Sequence, residues 1–214
     1  MKTDQLRLPV ALRRWAVASG VTGLIANAFL VLFYLTAQPW AAEPEDGWFG
    51  LANDYLVVIQ YLALVPVILG LGRLLTGDAR ARRWTRIGLV AAVAVVVLQV
   101  LLVTGVMPFA YEVAPVSLSG IAAMCWAGAI SAAARRSRAL PATVTRLGRA
   151  IALGLPMAIA AFGIGALVTV VFDLPWAWAA GAIPGIVVWT LFPAWTLLLG
   201  AVQGHDEPRG EARA

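Results

Sequence analysis

Three acids stand at the mouths of long apolar runs: Asp54 in "GLANDYLVVIQYLALVPVILGLGRLL", Glu112 in "PFAYEVAP" and Asp173 in "VVFDLPW". A carboxylate at such a place has two uses. It can cap a helix start, where unpaired N–H groups carry a partial positive charge. It can also give or take a proton, or seat a cation, because a covered carboxylate without a counter-charge tends to hold a proton. The capping reading assigns Asn53 to the start of the second helix with Asp54 in its first turn, and Asp173 to the start of the sixth, since Pro175 suits a first helical position. It places Glu112 just before the fourth helix.

The catalytic or binding reading makes Asp54, Glu112 and Asp173 candidates for one shared outer vestibule. A polar layer supports it. Asn53 and Gln60 are seven residues apart and share a helix face, Gln60 lying about 9 Å deeper. Asn27 and Gln99 fall at a comparable level in the first and third runs. Polar side chains at that depth face the bundle interior, where they bind a ligand or hydrogen-bond between helices. The expected binding set is therefore Asn27, Asn53, Asp54, Gln60, Gln99, Glu112 and Asp173.

Other chemistries fail on inventory. The chain has one histidine, His205 in the C-terminal tail, and one cysteine, Cys125. No disulfide can form within the chain, and neither a thiolate nor a histidine metal cluster is expected. No phosphate-binding loop, nucleophile elbow or HExxH is present, so no cofactor is expected. "SLSG" at Ser117–Gly120 has no histidine in the apolar runs to activate a serine.

The elements that position these residues are helices. The chain has 214 residues, 61% of them hydrophobic and only 13% charged. Six apolar runs exceed the roughly 18 residues that span a bilayer: Trp15–Ala37, Gly50–Leu75, Trp84–Pro108, Val113–Ala134, Leu147–Phe172 and Pro175–Val202. The fold class is all-α, a polytopic membrane bundle of six transmembrane helices. Residues 1–14 form an N-terminal tail, 15–202 the transmembrane domain and 203–214 a C-terminal tail. The first run is too long for a cleavable signal segment.

Every Lys and Arg falls on one side of this arrangement, among them Arg13 and Arg14, Arg80 to Arg86, Arg135 to Arg138, and Arg146 and Arg149. The positive-inside rule puts that side and both termini in the cytoplasm of a cell membrane. The net charge of +5 is thus a topology signal, with anionic lipid as partner and no nucleic acid. Trp15 and Trp84 mark the inner interface, and Trp40, Trp48, Trp176 and Trp178 the outer one, whereas Trp126, Trp189 and Trp195 fall deeper, where they pack between helices.

Three helical hairpins can be laid over one another. "RRWAVASG" opens the first and "RRWTRIGL" the second, and Thr145-Arg146-Leu147-Gly148 of the third matches Thr85-Arg86-Ile87-Gly88. Prolines 66, 156, 184 and 193 lie inside runs and are expected to bend them. Gly181-x-x-x-Gly185 has the spacing of a close helix contact, and an oligomer is compatible with it.

With "GVTGLIANAF", "ANDYLVVIQYLALVPVILGL" and "TRLGRAI" in view, and an Ala-, Val-, Arg- and Gly-rich composition, the chain resembles the small six-helix integral membrane proteins of actinobacteria. That resemblance implies a fold and no activity. A fainter one is to membrane terpene cyclases, small metal-free bundles with intramembrane acids, whose Trp-Glu type motif is absent here. The leading expectation is a protein that binds or passes a small lipophilic or cationic molecule through an outward acidic vestibule. The alternatives are a cofactor-free membrane enzyme, a cyclase or isomerase using the carboxylates as acid and base, and a structural or accessory subunit.

Overall fold

The computed structural model describes residues 8–36, 48–174 and 176–202. It is all-helical there: α1 (Val10–Thr36), α2 (Trp48–Leu74), α3 (Ala79–Val103), α4 (Phe109–Ser137), α5 (Ala142–Phe172) and α6 (Trp176–Ala201). Each is long and apolar enough to cross a membrane. The acids Glu43, Glu45 and Asp46, Trp40, and the tail from residue 203 lie outside the described residues.

The helices overrun the apolar runs at their charged ends. α1 takes in Arg13 and Arg14 and starts at Val10, inside the expected tail; α3 starts at Ala79 instead of Trp84. A hydropathy window stops at the first arginines, but backbone hydrogen bonding does not. Asp78 fixes the start of α3 by accepting the N–H groups of Arg80 and Ala81 at 2.8 and 3.1 Å, the work of an N-cap aspartate. α3 ends at Val103, short of Pro108, because Gly105 turns to φ +73°, a region glycine enters freely.

Each helix packs beside the next in the chain, and α6 returns to α1, so the six close a ring. Neighbours run antiparallel: Gly50 near the start of α2 meets Phe33 near the end of α1, and Gly200 at the end of α6 meets Arg13 and Val17 near the start of α1. One end of the bundle therefore carries the starts of α2, α4 and α6, and the other the starts of α1, α3 and α5 with the arginines. Aromatic rings of α2, α4 and α6 fill the middle. Tyr61 lies 6.3 Å from Phe192, Phe192 stacks on Trp195, and Trp126 meets Trp195 edge-on at 5.5 Å. Large apolar side chains such as Val90, Leu118, Met157 and Ile183 stand exposed on the outside, the surface a bilayer covers.

The prolines lie inside continuous helices: Pro66 in α2, Pro115 in α4, Pro156 in α5, and Pro184 and Pro193 in α6. The close contact expected of Gly181 and Gly185 forms differently. A Cβ on Gly181 would meet the Ala161 carbonyl oxygen at 2.5 Å, and one on Gly165 the Ala177 carbonyl oxygen at 2.5 Å, while Gly185 faces open space. Ala161-x-x-x-Gly165 of α5 thus meets Ala177-x-x-x-Gly181 of α6. Small residues on both sides let the two backbones touch.

Candidate functional site

α2 starts at Trp48, so Asn53 and Asp54 stand in its second turn, too deep to cap it. Pro108 opens α4 without a side-chain cap, and Glu112 falls inside the first turn. The Glu112 side chain is 1% exposed, and its Oε1 accepts no hydrogen bond among the described residues. It therefore caps nothing through its side chain. Across from it, Asp54 is half-buried and accepts the Asn53 amide N–H at 3.2 Å. The two acids lie close enough for the Asp54 charge to act on Glu112. No lysine, arginine or histidine is paired with either among the described residues.

α3 lies between α2 and α4 in the ring. It brings Gln99 near its end, buried, with Oε1 also unpartnered. At this end of the bundle the Glu112 carboxylate, within reach of the Asp54 charge, and the Gln99 amide oxygen are both covered without a donor. Buried acceptors left unpaired are uncommon, because each loses its water without replacement.

Asp173 does not join them. It is exposed, and it ends α5 in a left-handed conformation at φ 52° instead of opening α6. The cap of α6 comes from Thr169, whose hydroxyl accepts the Trp178 N–H at 3.1 Å and donates back to α5. The sequence signal was present: a threonine one turn before the break can reach either helix end. The acid beside the proline was the more conspicuous feature.

The expected polar layer divides in two. The Gln60 side chain lies against Gly23 of α1 and Pro193 of α6, where a Cβ on Gly23 would stand 2.6 Å from its Cδ. Asn27 of α1 donates to the Thr190 hydroxyl of α6 at 3.4 Å. These residues join α1, α2 and α6, on the other side of α2 from α3. Asn27 and Gln60 therefore stand as an interhelical contact apart from the Asp54–Glu112 pair.

At the arginine end, Asp78 meets Arg136 at 2.7 Å, tying the α2–α3 turn to the end of α4. The Arg136 guanidinium, and behind it the Ala81 N–H, holds the Asp78 carboxyl below the usual carboxylate range. Inside the bundle at this end, the Trp195 indole N–H donates to the Ser131 hydroxyl at 3.1 Å. Two clefts open here, of about 350 Å³ between α4 and α5 and about 550 Å³ between α1 and α6. No group of three or more histidine, cysteine or acidic side chains suited to a metal occurs among the described residues. Comparison with protein-family models, with curated proteins and with solved structures returns no match.

Proposed function

We propose that this is a multi-pass protein of the cell membrane, its termini and arginine-rich end in the cytoplasm, that binds or passes a small lipophilic cation at the Asp54–Glu112 pair. The orientation follows from the positive-inside rule. The reading rests above all on one observation: Glu112 is covered, beside a second acid, with an oxygen that meets no donor.

A structural acid would be expected to carry its hydrogen bonds with it. A covered carboxylate with none needs a proton or a cation. The second carboxylate favours a positive charge over a neutral guest. Asn53 holds Asp54 in place, and the Gln99 amide oxygen adds a neutral acceptor. The apolar surroundings of a membrane bundle favour a cation whose charge is spread over hydrocarbon. Asp173, Asn27 and Gln60 stand outside this set.

Tetraphenylphosphonium and tetraphenylborate, nearly equal in size and opposite in charge, test it. Binding is measured to purified protein in nanodiscs against empty nanodiscs. The expected result is saturable binding of the phosphonium alone, weakened at least tenfold by Glu112→Gln and unchanged by Asp173→Asn. Equal retention of both ions, or full affinity in Glu112→Gln, sinks the proposal.

A further inference from the structure

The cleft between α4 and α5 is lined at helical spacing on both sides. Ser131, Ala132, Arg135 and Arg136 line it from α4, and Thr145, Arg149 and Ala152 from α5. It is graded along its length: arginines toward the arginine-rich end, small residues toward the middle of the bundle. Arg149 lies seven residues into α5, about 10 Å from its start, inside the apolar run that begins at Leu147. An arginine at that depth needs an anion or a path to the headgroup level.

Among the described residues no acid is free to answer these arginines. Asp78 is the acid described at this end, and it is engaged by Arg136. Arg135 and Arg149 have no acidic partner among the described residues. Ser131 accepts the Trp195 N–H, which leaves its own O–H without an acceptor among them. The cleft between α1 and α6 differs, because one of its two arginines, Arg13, is anchored by donating to the Gly200 carbonyl oxygen at 3.2 Å.

We propose that the α4–α5 cleft binds one anionic phospholipid of the cytoplasmic leaflet, its phosphate held by Arg135 and Arg149 and an acyl chain lying over the exposed Ala132 and Ala152. Guanidinium groups suit phosphate oxygens through paired N–H donors. A basic pocket between membrane helices on the cytoplasmic side has the charge for such a headgroup. The occupant is a lipid and not free phosphate because the apolar half of the cleft continues directly from the charged half. This site is separate from the acids at the opposite end and stands or falls independently of them.

Full-length protein in detergent is titrated with phosphatidylglycerol or phosphatidylcholine of identical chains, and bound lipid is counted by native mass spectrometry. Phosphatidylglycerol is expected to bind at least tenfold more tightly. Arg149→Gln should weaken it about fivefold, the effect of one basic residue near a membrane surface, and Arg149→Lys, which keeps the charge without the paired donors, should restore only part of the loss. Arg14→Gln should leave it unchanged. Both arginines are exposed, and thermal melting checks that the variants are folded. Equal binding of the two lipids overturns the proposal. So does an equal loss in Arg14→Gln, which would mean diffuse charge attraction. Displacement of the lipid by millimolar inorganic phosphate would mean a site for free anions and also overturns it.

Discussion

The two ends of α4 are built on opposite terms. Its last turns are tied to their surroundings: Ser131 meets Trp195, Arg136 meets Asp78, and the Ala139 N–H returns to the Ala134 carbonyl after the left-handed Arg138, while Arg135 stands exposed at the surface. At its first turn Pro108 offers no side-chain cap, and Glu112 is covered without a partner. Stability accounts for the first arrangement. The second reduces stability, and unsatisfied groups of that kind gather where a protein binds or reacts.

The sharpest way to break this contrast is at Gly148, where α5 presses on Ser131 and lies within reach of the Trp195 indole nitrogen. Gly148→Val should lower stability by about 1–3 kcal/mol or more, by overpacking and by disturbing the Ser131–Trp195 bond. Thermal melting in detergent reads this. Gly163→Val, facing open space in the same helix, is the control. Equal losses would mean that the α4–α5 contact is not a special one.

Next in size comes a change of sign. Glu112→Gln removes a covered acid whose ionisation no partner offsets and should raise stability by about 1 kcal/mol while weakening cation binding at least tenfold. Ser131→Ala, at the other end, should lower stability by about 1–3 kcal/mol by leaving the Trp195 N–H unpaired. A destabilised Glu112→Gln would make that residue a structural one and erase the difference between the ends.

The smallest effect is at Asp78. Its carboxylate is held charged by Arg136 and the first N–H groups of α3, so it ionises more readily folded than unfolded. Its contribution is present above the ordinary carboxylate range and is lost as pH falls below about 4 toward its lowered folded value. Asp78→Asn should melt slightly lower than the parent at pH 7, and the gap should narrow as the pH falls below the ordinary carboxylate range. A gap that stays constant with pH would show that the charge plays no part.

Much of the fold was legible because hydropathy is a strong signal over windows of this length. Six runs gave six helices, and the depth of Trp126 and Trp195 followed from their place within those runs. Helix ends were less legible, since arginine turns are helical yet hydrophilic: α1 and α3 begin five residues before their apolar runs. At the site, equal distance from helix mouths suggested that Asp54, Glu112 and Asp173 were equivalent. Burial separates them, because Glu112 is covered and Asp54 half-buried while Asp173 ends a helix in the open. Which way a side chain faces depends on rotation about the helix axis, and in helices apolar all round no periodic pattern reveals it. The same ambiguity joined Gln60 and Asn27 to the acids, though they pack toward α6.

The central claim is that Asp54 and Glu112 act as one unit. Its most direct measurement is a double-mutant cycle on tetraphenylphosphonium affinity with Asp54→Asn, Glu112→Gln and the pair together. The account predicts that each single change removes most of the affinity and that the double variant is little weaker than either one. Independent effects that add in full, or a loss in only one of the single variants, would contradict it.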